Sequence, residues 1–246
     1  RKDNRLSLIK KLLIQRRRFK EVVPYIDEAF DIMYPKNIKE FFGKPIISYS
    51  IKAAIDSKLF DKVIVSTDCE NIAQIASKYG AEVPFMRPKE LSGDFLGTHE
   101  VVGHALKWLE DFGHEVDYAC CIYATAPMIQ ESDLIKGYEL IKTGKWKSVI
   151  AATKYSYPVF RSFKKLNDGG LEMVFPEHYN SRSQDLPEVY HDAGQFYWAK
   201  SQDWKNKPGG FSQDNTIIEL PNYLVQDIDT IDDWNRAEKI YESYKT

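Results

Sequence analysis

The sequence is poor in cysteine and contains no long hydrophobic stretch. Only three cysteines occur among the 246 residues, and Cys120 and Cys121 are adjacent inside an apolar run. An odd number with two neighbours fits buried thiols better than disulfides or a metal site. No apolar run approaches the roughly 18 residues that a membrane span needs, and no signal-peptide pattern is present. We therefore expect a protein of the reducing cytoplasm that does not contact a membrane.

Net charge is also small. A formal charge of −2 argues against a general nucleic-acid binder, because such proteins carry an excess of basic residues. Basic residues are nonetheless concentrated in residues 1–20, which hold nine Lys or Arg and the single acid Asp3. This segment is either a polyanion-binding patch or a solvated basic face, and the sequence leaves its role open.

Apolar, strand-like runs alternate with amphipathic segments through most of the chain. Strands are predicted within residues 20–24, 61–68, 81–88, 118–127, 147–155 and 190–200, and helices at 69–80, 99–113, 131–144 and 231–244. This alternation predicts a doubly wound α/β fold, with a mainly parallel sheet and helices on both faces. Residues 155–190 break the pattern, and a turn at 167–170 predicts a β-hairpin excursion from what we expect to be a single domain.

Polar residues follow several of the predicted strands. In doubly wound sheets, ligands bind beyond the carboxyl ends of the strands. We therefore expect the side chains at these ends to share one opening: Asp68, Arg87, Tyr123, Thr125 and Asp227.

The stretch VQDIDTIDDW, residues 225–234, places Asp227 and Asp229 two residues apart after an apolar run. In an extended strand, such residues point to the same side, so their carboxylates converge. Thr230 and Asp233 predict a capping box at the start of the following helix. Two interpretations remain open at this point: a metal site, or a solvated strand end whose acids favour the helix N-terminus.

Five motifs carry a resemblance to a known family. PKNIKEFFGKPIISYSI, VIVSTDCENIAQIASKYGAEVPFMRPKEL, CCIYATAPMI, SRSQDLPEVYHDAGQFYW and VQDIDTIDDW occur in order across residues 35–246. Together they closely resemble the cytidylyltransferases that activate sialic-type (nonulosonic) acids, and within that family the branch acting on pseudaminic acid. The resemblance implies transfer of CMP from CTP to the sugar acid with release of pyrophosphate. It also implies a Mg²⁺ cofactor and a homodimer in which the excursion reaches the neighbouring subunit.

The same resemblance implies roles for individual residues. Asp227 and Asp229 match the metal-binding pair and Lys36 the lysine on the triphosphate, so these three are the candidate catalytic residues. The remaining candidates are Asn37, Arg87 and Thr98 for the nucleotide, and Tyr123, Thr125, Arg182, Gln184, Asp192 and Gln195 for the sugar acid.

Ordinary structural roles compete with several of these assignments. Arg87 is alternatively a surface side chain, Asn37 and Thr98 helix caps, and Asp192 a turn residue. Four further ring-bearing residues are expected to be structural: His104, His191, Trp108 and Trp198.

The sequence departs from the family just after its first predicted strand. The family has a loop rich in Gly, Ser, Arg and Lys that cradles the triphosphate. Here YIDEAFDIMYP, residues 25–35, contains no glycine, lysine or arginine, and the first glycine of the chain is Gly43. Three explanations remain open. The chain is a divergent homologue with poor or no CTP turnover, its first segment is altered, or the basic segment takes the place of the missing loop at the triphosphate.

Two alternative functions follow from these features. A D-x-D pair at a strand end also serves nucleotide-sugar glycosyltransferases, and the acidic segment is consistent with a protein that binds nucleotide sugars without turnover.

Overall fold

The computed structural model describes residues 18–26, 36–93, 97–206 and 211–245. Most of the basic segment and most of the acidic stretch 25–35 therefore lie outside the described residues. In chain order, the elements are β1 (Arg18–Ile26), β2 (Glu40–Phe41), β3 (Lys44–Pro45), α1 (Ile47–Ser57), β4 (Lys62–Ser66), α2 (Glu70–Lys78), α3 (Thr98–Asp111), β5 (Glu115–Tyr123), α4 (Glu131–Lys142), β6 (Ser148–Lys154), β7 (Phe163–Lys165), β8 (Leu171–Met173), β9 (Tyr190–Lys200), α5 (Ser201–Lys205), β10 (Asn215–Glu219) and α6 (Ile231–Lys245).

Six strands form one sheet in the order β10-β6-β9-β5-β1-β4. β1 lies parallel to both β4 and β5, with Tyr25 opposite Val65 on one side and Ile122 on the other. β10 lies parallel to β6, whereas β9 runs antiparallel between β5 and β6. The prediction of a mainly parallel sheet is therefore confirmed, with β9 as its reversed strand.

Helices cover both faces of this sheet. Cys120 and Ile122 of β5 pack into the core under α1, α2 and α4, while Ala119 and Cys121 pack into a second core with α3 and α5. Because successive strand residues point to opposite faces, the two cores lie on opposite sides, as the doubly wound prediction requires. Both cysteines are free thiols with no solvent exposure, which confirms the prediction for them.

A third core joins the C-terminal helix α6 to the β2–β3 hairpin. Phe41 lies at its centre, with its ring edge-on to Trp234 at 5.5 Å and in contact with Tyr241 at 5.1 Å. Leu224 and Ile228, from the segment before α6, are buried in the same cluster. This packing anchors the segment that carries Asp227 and Asp229.

Two strand predictions were wrong. Residues 81–88 form no strand, and Glu82 makes only an isolated bridge to Ile64; Pro84 has no N–H with which to extend a ladder. The predicted strand through Asp227 also differs, because β10 ends at Glu219 and residues 225–228 have no strand partner. The excursion between β6 and β9 contains an antiparallel hairpin of β7 and β8, as predicted.

Candidate functional site

A polar pocket of about 250 Å³ opens at the carboxyl edge of the sheet. Its walls come from the end of β5, from β9, from the 3₁₀ helix Lys36–Ile38 and from the segment before α6. Seven of the predicted site residues line it together: Lys36, Asn37, Tyr123, Thr125, Asp192, Asp227 and Asp229. The fold thus brings together residues separated by up to 193 positions, Lys36 and Asp229 being the extremes.

The acidic pair reaches the pocket because the residue between them is buried. Ile228 has no solvent exposure, whereas Asp227 and Asp229 on either side are exposed. The Lys36 ammonium donates a hydrogen bond to the Ile228 carbonyl at 3.0 Å and lies 3.4 Å from Asp229 Oδ1. The alternation places both carboxylates on one side, as predicted, although the segment is not part of the sheet.

The following helix begins with the predicted capping box. The backbone N–H of Asp233 donates to Thr230 Oγ1 at 3.2 Å, and the backbone N–H of Thr230 donates to Asp233 Oδ2 at 2.9 Å. Hydrogen bonds from the Thr230 hydroxyl and backbone lower the pKa of Asp233. This reciprocal bonding confirms the prediction and fixes the direction in which the chain leaves the pocket.

The pocket carries an excess of negative charge. Partial desolvation by the surrounding protein raises the pKa of Asp227, and the charge of Asp229, with a smaller effect of Asp192, adds to it, while Lys36 lowers it. Three carboxylates thus face one ammonium among the pocket-lining residues. Among the described residues, no group of three or more His, Cys, Asp or Glu is arranged to hold a metal by itself. The arrangement suits Mg²⁺, which is usually bound by one or two carboxylates together with phosphate oxygens and water.

Hydroxyl groups connect the pocket wall to helix α3. Tyr197 donates to Asp192, with its hydroxyl 2.8 Å from Oδ1 and 2.9 Å from Oδ2. The hydroxyls of Thr98 and Tyr123 are 3.0 Å apart. Burial, followed by the nearby Tyr123 and Asp192, strongly raises the pKa of Tyr197, so this phenol keeps its proton and remains a donor to Asp192.

Three other predicted residues do not line this pocket. Thr98 lines an adjoining cavity and is the first residue of α3 rather than its cap, which is Gly97. Arg87 is 4% exposed, with its guanidinium 3.7 Å from Asp68 and 3.2 Å from Ser92 Oγ, so its interpretation as a surface arginine is wrong. Gln195 is buried.

Asp68 and Arg87 therefore pair with each other at the end of β4 instead of sharing the pocket wall. The expectation of one common opening holds for Tyr123, Thr125 and Asp227 only.

Arg182 and Gln184 lie in the excursion, outside this pocket. Both are exposed, and Arg182 forms a two-pronged ion pair with Asp185 at 2.7 and 3.1 Å. Gln184 lines a separate groove at the base of the excursion. Their role in sugar binding stays a prediction.

The four residues expected to be structural have ordinary packing partners. Trp198 is fully buried and stacks on Phe60 at 5.2 Å, and Trp108 and His104 contact Phe85. Desolvation lowers the pKa of His104, which is consistent with a packing role. The ring of His191 contacts Tyr155 at 4.7 Å.

Sequence reasoning missed three residues of the pocket wall: Ala124, Gly194 and Tyr197. Ala124 lies between two predicted residues. Gly194 belongs to an irregular part of β9 and Tyr197 directly follows it, so strand periodicity does not show which side chains face the pocket. The presence of Gly194 inside a strand is itself a signal, because glycine there often marks a bulge or a close approach of backbone.

Comparisons with known proteins agree with this geometry. A family model described as Cytidylyltransferase matches residues 33–219. Two curated pseudaminic acid cytidylyltransferases, from Campylobacter jejuni serotypes O:2 and O:23/36, are 43% and 41% identical over 208 residues, which is 84% of this chain and 89% of each relative. A solved structure of CMP:2-keto-3-deoxy-manno-octonic acid synthetase complexed with CTP superimposes with a TM-score of 0.65 at 12% identity, covering 92% of this chain and 99% of the other. No helix among the described residues is long and apolar enough to cross a bilayer.

Proposed function

Because the chain belongs to the cytidylyltransferase family, we propose that it transfers CMP from CTP to a sialic-type acid, with pseudaminic acid as the substrate. One observation carries the proposal: four of the five motifs that resemble the family meet in a single pocket, where Lys36, Asp227 and Asp229 lie together. Relatives 43% and 41% identical to this chain are named for this sugar. The family match favours this reaction over the glycosyltransferase alternative.

The reaction forms one bond and breaks another at the same phosphorus. The anomeric hydroxyl oxygen of the sugar acid bonds to the α-phosphorus of CTP, the bond to the pyrophosphate oxygen breaks, and the hydroxyl proton is released. Such transfers need alignment and neutralised charge more than covalent catalysis. Asp227 and Asp229 would hold Mg²⁺, which when bound supplies positive charge against the phosphate oxygens.

Lys36 has two functions in this proposal. Its hydrogen bond to the Ile228 carbonyl holds the acidic segment in place, and its ammonium keeps a positive charge on the pocket side. Asn37 would contact the nucleoside. Arg87 and Thr98 do not line this pocket, so their part in nucleotide binding stays a prediction. Tyr123, Thr125 and Asp192 would contact the sugar acid, with Asp192 kept oriented by Tyr197.

We further propose that the excursion packs against a second copy of the chain. The excursion leaves large apolar side chains exposed, including Phe163 at 62% and Leu171 at 66% in its hairpin and Tyr179 at 71% beyond it. Arg182 and Gln184 would then approach the pocket of the neighbouring copy, since neither lies in the pocket of its own chain. Light scattering after gel filtration tests this: Phe163→Ser with Leu171→Ser should convert a dimer to a monomer.

Two measurements test the activity. Calorimetric titration with CTP, with and without Mg²⁺, tests nucleotide binding. Incubation with CTP, Mg²⁺ and pseudaminic acid should then release pyrophosphate, and N-acetylneuraminic acid in a parallel assay measures selectivity. A folded sample that binds CTP·Mg²⁺ but releases no pyrophosphate with either sugar acid contradicts the proposed turnover.

That outcome would support the second candidate, a nucleotide-sugar-binding protein without turnover. The acidic stretch 25–35 favours it, because the resemblance implies a phosphate-binding loop here and the sequence has Asp27, Glu28 and Asp31 instead. The family match begins at residue 33, after these acids. CMP-sugar binding without pyrophosphate release distinguishes this candidate from the active enzyme.

A further inference from the structure

Strand β9 is irregular where it passes the pocket. Its register with β6 shifts between the pairs Ile150–Tyr197 and Ala152–Asp192. Within the shift, Gly194 adopts φ +60°, and its N–H donates to Asp192 Oδ1 at 2.8 Å. We refer to residues 192–196 as the β9 bulge. Bulges of this kind redirect side chains and are frequent beside active sites.

The β9 bulge contacts the acidic segment at two points. A Cβ built on Gly194 would lie 3.3 Å from Asp227 Oδ1 and 3.4 Å from its Cγ. One residue further on, the side chain of Gln195, 3% exposed, donates from Nε2 to the Leu224 carbonyl at 2.5 Å. Backbone without a side chain therefore faces one carboxylate, and a buried amide fixes the main chain three residues before it.

We propose that Gly194 and Gln195 are positioning residues that determine where the Asp227 carboxylate lies, and therefore how tightly the pocket binds a divalent cation with CTP. This inference rests on the proposed function. Gly194 leaves the space that the carboxylate needs, and its left-handed backbone is a conformation that L residues rarely adopt. Gln195 sets the distance between β9 and the segment that carries the acids. Neither residue needs to touch substrate.

The first test replaces Gly194 with alanine and compares it with Gly144→Ala. Gly144 has a similar φ of +72°, but a Cβ there meets nothing within 4 Å. Both variants introduce the same backbone penalty, whereas only Gly194→Ala crowds Asp227. Mn²⁺ titrated calorimetrically in the presence of CTP is the direct probe. The Kd for Mn²⁺ should rise about 10-fold or more in Gly194→Ala, the usual range for residues that orient metal ligands, and stay near wild type in Gly144→Ala.

The second test replaces Gln195 with methionine, which keeps the volume, removes the N–H and adds no left-handed strain. Thermal denaturation establishes that the variant is folded. The Mg²⁺ concentration for half-maximal pyrophosphate release should rise several-fold, and added Mg²⁺ should raise the activity of the variant more than that of the wild type. A merely structural defect would lower activity at every metal concentration.

The outcomes separate the two proposals. The positioning role is overturned, and the proposed function is left intact, if three results occur together. The wild type is active, Gly194→Ala and Gly144→Ala bind Mn²⁺ equally well, and Gln195→Met keeps the wild-type Mg²⁺ midpoint. A wild-type protein that binds neither CTP nor Mn²⁺ overturns both.

Discussion

Replacing Asp227 with asparagine should stabilise the protein without ligands and weaken its response to ligands. The carboxylate faces the negative charges of Asp229 and Asp192, and desolvation, followed by these charges, raises its pKa. Removing the charge relieves repulsion in the ligand-free state. It also removes an oxygen ligand of the proposed Mg²⁺ site, so stability and binding should change in opposite directions.

The magnitude follows from the spacing of the two acids. Residues i and i+2 of an extended segment lie about 7 Å apart, and two unit charges at that distance repel by about 2.4 kcal/mol at an effective dielectric of about 20. Both side chains are exposed, so solvent and salt reduce the figure to about 1 kcal/mol or less. For a chain of this size, that raises Tm by at most about 2–4 °C.

The stabilisation that Asp227→Asn loses in the presence of ligand is opposite in sign to the gain without ligand, and it is larger. Ligand at about 100 times its Kd stabilises a protein by about 2.7 kcal/mol, which corresponds to roughly 5–11 °C in Tm. Asp227→Asn should lose most of this increment. The assay is differential scanning calorimetry with EDTA alone and with CTP and Mg²⁺.

A matched control is Asp232→Asn, which removes the same charge from an exposed position in the first turn of α6, outside the pocket. It should respond to CTP and Mg²⁺ as the wild type does. If Asp227→Asn lowers Tm by several degrees in EDTA yet keeps the full ligand response, the carboxylate is structural and the metal assignment is refuted.

Three further predictions concern stability. A carboxyl whose pKa is raised on folding favours the folded state fully below its unfolded pKa of about 3.9 and loses that contribution as pH rises through the folded pKa. In EDTA, the stability of the wild type relative to Asp227→Asn should therefore fall as pH rises from about 4 and then level off. A pH-independent difference in stability would contradict the raised pKa of Asp227. Tyr197→Phe should cost about 1.5–3 kcal/mol in urea unfolding, because a partly buried hydrogen bond to the Asp192 carboxylate is lost. Tyr190→Phe, whose hydroxyl bonds are exposed, should change little, and equal losses in the two variants would count against a stabilising bond to Asp192. Thr230→Ala should cost about 1 kcal/mol by removing the helix cap, with Thr230→Ser as the variant that restores stability, and failure of serine to do so would show that the hydroxyl is not responsible.

Local features of the fold could be predicted from the sequence. The strands at 61–68 and 118–127, the helix at 69–80 and the capping box at Thr230 all depend on short-range periodicity or on bonds between residues three apart. Proline explains the error at 81–88, since an alternating pattern around Pro84 resembles a strand but cannot complete a ladder.

The pocket could be predicted only in part from the sequence. Seven of its residues were predicted, because strand ends and the D-x-D pair are visible as patterns and because the family resemblance supplied Lys36, Asn37 and Asp192. Tyr197 and Gly194 were not, since they depend on the register shift of β9 against β6, which no local periodicity encodes. Gln195 was identified as a site residue, but its contact with Leu224 became visible only in three dimensions.

The sequence by itself determined the alternation of strands and helices, and the convergence of Asp227 and Asp229 on one side of the chain. Both follow from the geometry of a few consecutive residues. Only the tertiary structure decided what these acids face: Lys36, 193 residues from Asp229, and a glycine in a reversed strand. These contacts depend on how apolar faces from distant parts of the chain pack together, here on the burial of Ile228 against α6 and the β2–β3 hairpin. A local sequence pattern does not show this packing.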